Sequence, residues 1–87
     1  MAKYSLLFKK SVTKDLRVIP NSDISHILNK IEQLIDGPRP QGYTKLTGVE
    51  KYRIRQGSYR IIYEIKDSIL VVNVIKIAHR SSAYKST

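Results

Sequence analysis

Three arginines flank a Gly-Ser pair in the second half of the chain. Cationic and apolar side chains alternate on both sides of that pair. The alternation predicts two strands joined by a two-residue turn at Gly57-Ser58, with glycine first as a type II′ turn prefers. The predicted pairing places Arg55 opposite Arg60 and Arg53 opposite Ile62. Like charges directly opposite each other destabilise a sheet, so this pairing points to a ligand that carries several negative charges.

The other face of the same hairpin is apolar. The predicted register places Ile54 against Ile61 and Tyr52 against Tyr63, and these side chains alternate with the arginines. Lys51 continues the cationic row. The hairpin is therefore expected to turn its apolar face toward a core and its guanidiniums toward a partner.

A second group of reactive side chains follows the last predicted strand, where the chain reads Ala78-His79-Arg80-Ser81-Ser82-Ala83-Tyr84. Cleavage of RNA without a metal needs a base for the 2′-hydroxyl, cations for the extra charge of the phosphorane and an acid for the leaving 5′-oxygen. Arginine, histidine and tyrosine can fill these roles, and tyrosine can also stack on a base. The candidate catalytic residues are Arg53, Arg55, Arg60, His79, Arg80 and Tyr84. A structural reading stays open, in which Tyr84 only covers apolar atoms at the sheet edge.

Length and charge restrict the class of protein. The chain has 87 residues, enough for one core, so residues 1–87 are expected to form a single domain. Its formal net charge is +9, and residues 41–87 hold nine basic and three acidic side chains, whereas residues 1–40 hold seven and four. Such a surface attracts phosphate backbones, anionic membranes or an acidic protein, and charge alone does not choose among them.

Other classes of function are excluded by what the sequence lacks. It contains no cysteine, so disulfides, thiol catalysis and thiolate zinc sites are excluded. No spacing of its two histidines indicates a metal site, and neither a metal nor another cofactor is expected. The early apolar cluster Leu6-Leu7-Phe8 is too short for a signal-peptide core or a membrane span. A cytoplasmic location without membrane attachment is therefore expected.

A short strand at residues 3–8 and two helices are predicted in the first half of the chain. The first helix, residues 10–18, has apolar residues at helical spacing. The second, residues 22–36, can be capped by Asn21 or Ser22. Its apolar side chains form an unbroken stripe that is expected to be core: Ile24, Ile27, Leu28, Ile31, Leu34 and Ile35. His26 lies off that stripe and is predicted to be an ordinary surface residue.

Three strands are predicted in the second half, at residues 50–55, 59–65 and 69–77. Alternation in the last strand directs Leu70, Val72 and Val74 to the core. The residues predicted to share the face of the arginines are Val71, Asn73, Ile75, Ile77 and His79. The expected fold is α+β with the order β-α-α-β-β-β, in which a small antiparallel sheet carries both helices on one face and leaves the other partly open.

Four short motifs connect these elements to a known family. They are Lys45-Leu46-Thr47-Gly48, Tyr52-Arg53-Ile54-Arg55, the run Gly57-Ser58-Tyr59-Arg60-Ile61-Ile62-Tyr63, and His79-Arg80 with Tyr84. In these motifs and in its order of elements, the chain resembles the RelE branch of the RelE/ParE toxin superfamily. The resemblance implies a toxin that enters the ribosomal A site and cuts messenger RNA by directing the 2′-hydroxyl onto the adjacent phosphate. It also implies a RelB-like antitoxin as partner and no small-molecule cofactor.

The resemblance assigns roles by position. Arg53 and Arg55 fall on two basic positions of the family's second strand, Arg60 on its phosphate-clamping arginine, Arg80 on its C-terminal arginine and Tyr84 on its stacking tyrosine. The residues expected to bind RNA or the ribosome are Lys45, Lys51, Arg53, Arg55, Lys76 and Lys85.

The chain departs from the family at the general base. Well-known members carry lysines where this chain has Arg53 and Arg55. Arginine, with a pKa above about 12, is a very poor base near neutral pH. Either His79 takes the base role, because the ordinary pKa of histidine is about 6.5, or Arg55 only steadies the nucleophile.

Two other functions remain open on the sequence. A ParE-like inhibitor of DNA gyrase shares the fold but binds a protein and cuts nothing, and such proteins tend to lack the arginine pair and the terminal tyrosine. A plain RNA-binding module would need the basic face without proton-transfer groups, and His79 with Tyr84 argues against it. Under either toxin interpretation, an antitoxin is expected to bring acidic and apolar residues to the open face.

Overall fold

The computed structural model describes residues 3–81, which form a five-stranded sheet with two helices. The helices are α1 (Ser11–Arg17) and α2 (Asn21–Glu32), and α2 continues into a 3-10 turn at Gln33–Ile35. The strands are β1 (Ser5–Phe8), β2 (Thr44–Lys45), β3 (Tyr52–Gln56), β4 (Tyr59–Lys66) and β5 (Val71–His79). Their order across the sheet is β1-β5-β4-β3-β2. The predicted α+β fold is confirmed.

The sheet is mixed and not purely antiparallel as predicted. β1 runs parallel to β5, from the Ser5–Val71 pair to the Phe8–Val74 pair. Parallel neighbours need a long connection, and everything between β1 and β5 supplies it. The sheet also gains the short strand β2, in which Thr44 lies opposite Arg53.

The helices cover one face of the sheet and contribute part of the core. Ile27, Ile31 and Leu34 are fully buried, as the stripe predicts, whereas Leu28 is exposed. The predicted cap at Asn21 or Ser22 is not formed, since Pro20 takes the N-cap position without a side-chain bond. Within residues 3–81, no helix is long and apolar enough to cross a membrane.

The connection after α2 is fixed to the sheet by Pro38 and Arg39. The buried hydroxyl of Tyr63 donates a hydrogen bond of 2.6 Å to the carbonyl oxygen of Pro38. Burial raises the pKa of Tyr63 to about 12. The guanidinium of Arg39 lies 5.5 Å from the ring centre of Tyr52, where a cation is attracted to an aromatic face.

Asp67, which follows β4, links the loop after α2 to Tyr4, the residue before β1. Arg39 donates to both of its carboxylate oxygens, at 3.2 and 2.9 Å, and the Tyr4 hydroxyl donates at 2.7 Å. The Arg39 hydrogen bonds hold the pKa of Asp67 below its usual value, and the bond to Asp67 raises the pKa of Tyr4. The end of β4 that is distant from the Gly-Ser turn is thereby attached to the residue before β1 and to the loop after α2.

The hairpin has the predicted register. Its pairs are Tyr52–Tyr63, Arg53–Ile62, Ile54–Ile61 and Arg55–Arg60. Gly57 has a φ of +59°, which glycine adopts without strain at the first position of a type II′ turn. The apolar side of the hairpin is core, with Ile54 at 2% exposure and Ile61 at 0%.

The last strand differs from its prediction at both ends. It begins at Val71, because a 3-10 turn occupies Asp67–Ile69 and Leu70 is left-handed with a φ of 52°. Leu70 is consequently exposed and does not reach the core. Further along, a β-bulge interrupts the ladder: Tyr63 pairs with Val74, but Ile62 pairs with Lys76.

Beyond the bulge, the side chains of β5 lie on the opposite face of the sheet from the one predicted. Ile75 is the extra residue, so Ile77 lies opposite Ile61 and is buried in the core at 2% exposure. His79 lies opposite Tyr59 and shares this helix-covered face. The prediction that Ile77 and His79 share the arginine side is therefore wrong, because one inserted residue turns every following side chain over.

Candidate functional site

Three arginines lie on the sheet face that the helices leave uncovered, close to the Gly-Ser turn. We call Arg53, Arg55 and Arg60 the arginine face. They alternate with buried Ile54 and Ile61, which places all three on the opposite side from the core. Arg55 is exposed and Arg53 is half-buried. The sheet thus presents neighbouring guanidiniums at one end of an open face.

Arg60 is far less accessible than the sequence indicated. Its exposed fraction is 6%, although the hairpin pattern predicts a solvent-facing residue. It lies between Arg55 on β3 and Ala78 on β5, and the register shift is what brings this small alanine opposite it. Without the bulge, Ile77 would stand there and occupy the space above the sheet. Arg60 is therefore enclosed by neighbouring residues, whereas Arg55 is exposed.

Arg80 reaches the same end of the sheet through its backbone. Its N–H donates a hydrogen bond of 2.7 Å to the carbonyl oxygen of Ser58 in the hairpin turn. This bond continues the β4–β5 pairing by one residue past the Tyr59–His79 pair. Arg80 is exposed, and this backbone bond places it beside the hairpin turn next to the arginine face.

His79 is not brought to the arginine face. Its ring stands perpendicular to the ring of Tyr59, with 5.5 Å between the centroids. Its Nδ1 lies 2.9 Å from the Ser81 hydroxyl and 3.3 Å from the Ser81 backbone nitrogen, which donates to it. Since the chain has only two histidines and His26 is on α2, the arginine face contains no imidazole.

The lysines predicted to bind RNA differ in burial and in whether they form ion pairs within the protein. Lys76 Nζ lies 3.6 Å from the Asp15 carboxylate, and Lys45 Nζ lies 3.4 Å from the Glu50 carboxylate. Lys51 is half-buried beside the start of β3. Tyr84 and Lys85 lie outside the described residues.

Asp15 has a structural role that could not be predicted from its sequence context. Its Oδ2 accepts a hydrogen bond of 3.1 Å from the Ile77 backbone nitrogen, next to the ion pair with Lys76. β1 ends at its pair with Val74. The part of β5 beyond Val74 therefore lies beside α1 instead of beside β1. An aspartate in a short polar helix carries no sequence signal for such a contact. It secures β5 just after the bulge.

The described arrangement can bind phosphate and stabilise added negative charge. Guanidinium groups donate to phosphate oxygens in pairs and stay charged at any physiological pH. Within residues 3–81, no three His, Asp or Glu side chains cluster so as to hold a metal ion. Neighbouring guanidiniums can stabilise the negative charge of a phosphate undergoing substitution.

Comparison with known proteins identifies the family. A family model described as the ParE toxin of type II toxin-antitoxin systems matches residues 6–84. The chain belongs to this toxin family. The RelE1 protein of Methanocaldococcus jannaschii is 31% identical over 97% of this chain and 98% of its own length. The mRNA interferase toxin RelE of Escherichia coli K12 is 28% identical, over 88% of this chain and 83% of its own.

A solved structure of the RelE toxins has the same fold. The archaeal RelE-RelB complex from Pyrococcus horikoshii OT3 contains a chain that superposes with a TM-score of 0.80 at 28% identity. The match covers 90% of the present chain and 96% of that chain. The present protein is thus a RelE-like toxin of the RelE/ParE superfamily, as the sequence motifs indicated.

Proposed function

We propose that this RelE-like toxin is a ribosome-dependent endoribonuclease that cuts messenger RNA in the A site without a metal. The observation that carries the proposal is the direct opposition of Arg55 and Arg60, with Arg53 on the same face and Arg80 tied to the adjoining turn. Folding alone gives no reason to place two guanidiniums opposite each other. A phosphate between them removes the repulsion. The name of the Escherichia coli relative supports the same activity.

In the proposed reaction, the 2′-oxygen of one nucleotide attacks the adjacent phosphorus and the bond from phosphorus to the 5′-oxygen breaks. The products are a 2′,3′-cyclic phosphate and a free 5′-hydroxyl. The phosphorane between them carries one more negative charge than the substrate. Arg55 and Arg60 contribute by stabilising that charge, and Arg53 and Arg80 by holding the neighbouring phosphates.

The arginine face stabilises charge but does not take up protons. His79 lies on the other face of the sheet. We therefore do not assign it as the general base of this reaction. The 2′-hydroxyl proton then passes to solvent hydroxide, and the 5′-oxygen takes a proton from solvent or from Tyr84. The stacking role of Tyr84 and the RNA contact of Lys85 remain predictions from the family resemblance.

Electrostatic attraction supplies much of the proposed ribosome affinity. Lys51 continues the cationic row of β3, whereas Lys45 and Lys76 each share their charge with a carboxylate. Binding should therefore weaken steeply as salt rises, because each phosphate contact releases counterions. Pelleting with ribosomes across a salt series measures this, and association that ignores salt contradicts it. A ribosomal target also places the toxin in the cytoplasm.

An antitoxin of RelB type is the proposed protein partner. The open face has a depression of about 560 Å³ beyond the arginine face. Its floor is apolar, with Leu46, Ile62 and Ile75, and its rim is basic, with Lys9, Lys51 and Lys76. An amphipathic segment with acidic flanks fits such a groove. The Pyrococcus horikoshii relative was solved as a complex with RelB, which supports this choice.

The deciding experiment is expression of the toxin alone, followed by mapping of transcript ends in translating cells. Cuts that follow the reading frame, and that disappear in the Arg55→Ala variant, are the expected result. Intact transcripts together with inhibited DNA supercoiling by gyrase would overturn the proposal in favour of a ParE-like activity. Cuts in naked RNA without ribosomes would overturn the ribosome dependence alone.

A further inference from the structure

A polar cleft of about 280 Å³ lies on the other face of the sheet, between α2 and the hairpin turn. We call it the turn cleft. It is lined by Asp23 and His26 from α2, by Gln56, Gly57, Ser58 and Tyr59 from the hairpin, and by His79 from β5. Both histidines of the chain line this one cleft. None of its residues has a role in the reaction proposed above.

The side chains of the turn cleft hold one another in place. The Tyr59 and His79 rings meet edge to face at 5.5 Å. The Ser81 N–H donates to Nδ1 of His79, so the neutral ring carries its proton on Nε2. Partial burial and the neighbouring Asp23 carboxylate raise the pKa of the Tyr59 hydroxyl. The cleft therefore contains two ordered rings and one carboxylate before any ligand arrives.

These groups select for a flat heterocycle and against a free anion. Asp23 repels phosphate, and no lysine or arginine is among the lining residues. Aromatic rings beside an amide such as Gln56 form the kind of site in which proteins stack and hydrogen-bond unpaired bases. A carboxylate accepts two parallel N–H bonds, and among RNA bases guanine offers a ring N–H beside an exocyclic amino group.

The position of the cleft connects it to the arginine face. Tyr59 and Arg60 are consecutive on β4 and point to opposite faces, as do Arg55 and Gln56 on β3. An RNA strand whose phosphates lie on the arginine face can therefore pass over the Gly-Ser turn and present a base to the cleft. Only the thickness of the sheet separates the two sites.

We propose that the turn cleft binds an unpaired guanine base of RNA, with Asp23 accepting from its Watson–Crick edge and Tyr59 and His79 packing against its ring. This inference rests on the proposed function for the source of the RNA, but base binding itself does not require cleavage. The turn cleft is thus a specificity site on the face opposite to the chemistry.

The two histidines provide the test. Full-length toxin carrying Arg55→Ala, chosen to keep expressing cells viable, is titrated with guanosine, inosine, adenosine and cytidine while the histidine ring signals are followed by NMR. Guanosine should shift both rings at saturation. Inosine, which lacks only the exocyclic amino group, should bind about tenfold more weakly, and adenosine and cytidine more weakly still.

Substitution of the carboxylate completes the test. Asp23→Asn should reduce guanosine affinity at least about tenfold, whereas Glu32→Gln, the same charge change on the same helix but outside the cleft, should leave it unchanged. If Asp23→Asn disturbs folding, the ratio of guanosine to inosine on the parent protein decides. Equal binding of all four nucleosides, no shift at either ring, or a shift with inorganic phosphate alone would overturn the proposal.

The outcome is separable from that of the nuclease proposal. In the transcript-end experiment, Asp23→Asn should keep the cuts and relax their preference for sites near guanine. Guanosine binding without any RNA cuts would leave the turn cleft standing and remove the nuclease function. Frame-following cuts without guanosine binding would do the reverse.

Discussion

Arg55 and Arg60 occupy directly opposite positions of the β3–β4 hairpin, yet Arg55 is exposed and Arg60 is 6% exposed. The difference arises from their other neighbours, since Arg60 has β5 beside it and Arg55 has no strand beyond it at that level. The two guanidiniums therefore differ in how much the fold depends on them.

Arg55→Ala should strongly reduce activity and leave the fold intact. Because the side chain is exposed, the free energy of unfolding should change by no more than about 0.5 kcal/mol. The cleavage rate should fall by about 10² to 10³-fold, as expected when one stabilising donor is lost. Urea denaturation and single-turnover cleavage on ribosomes measure the two effects. Lys14→Ala on α1 removes the same charge away from the arginine face and should change neither.

Arg60→Ala should reduce both activity and stability. Truncation removes the buried aliphatic stem as well as the charge, and the unfolding free energy should fall by about 1 to 3 kcal/mol. Arg60→Met keeps most of the stem, so it should recover part of that loss without recovering cleavage. An Arg60→Met toxin that cuts RNA at the parent rate would remove Arg60 from the phosphate site.

The pH profile of cleavage should show no histidine titration. With no imidazole on the arginine face, the single-turnover rate should rise with pH through and beyond neutrality, with no plateau beginning near pH 6.5. His79→Gln should keep the same profile shape at saturating ribosome concentration, whatever its effect on substrate affinity. A plateau that disappears in His79→Gln would restore His79 as the base.

Tyr63→Phe tests the fastening of the loop after α2. The variant leaves the carbonyl of Pro38 without the Tyr63 hydroxyl, and the unfolding free energy at pH 7 should fall by about 1 to 2 kcal/mol. The folded pKa of Tyr63 is about 12, above the ordinary tyrosine value of about 10. The hydroxyl therefore contributes its full stability below pH 10 and loses it as the pH rises toward 12. Denaturation of both proteins at pH 7 and pH 11 should show a smaller difference at pH 11, and exposed Tyr43→Phe should show none at either.

Asp67→Asn tests the hydrogen bonds that Asp67 accepts from Arg39 and Tyr4, through the dependence of stability on acidic pH. The folded pKa of Asp67 lies below its usual value, so its contribution is present above the unfolded pKa of about 4 and is lost as the pH falls through the folded value. Parent and variant should differ most at neutral pH and converge below pH 4. Asp36→Asn, which breaks only an exposed pair with Lys3, serves as the control. A difference that persists unchanged at low pH would contradict the charged hydrogen bonds.

Local sequence determined the hairpin and the long helix. A two-residue turn fixes the register of the strands that it joins, so every pair from Tyr52–Tyr63 to Arg55–Arg60 could be predicted. The stripe on α2 likewise predicted the burial of Ile27 and Ile31, because residues three and four apart share a helix face. The arginine face followed from these local rules, and the motifs around it were sufficient for the family.

Only the tertiary structure decided which face His79 occupies and how deeply Arg60 is buried. Both depend on the bulge at Ile75, and nothing in the sequence near β5 marks one residue as extra. The bulge is fixed by contacts distant in the chain: Ile77 enters the core opposite Ile61, and Asp15 on α1 binds its backbone nitrogen. Strand registers of this kind are chosen by the packing of the whole domain, and a shift of one residue exchanges the two faces of a strand. The sequence alone therefore specified the groups that could do chemistry, and the packing of the sheet placed them on opposite faces.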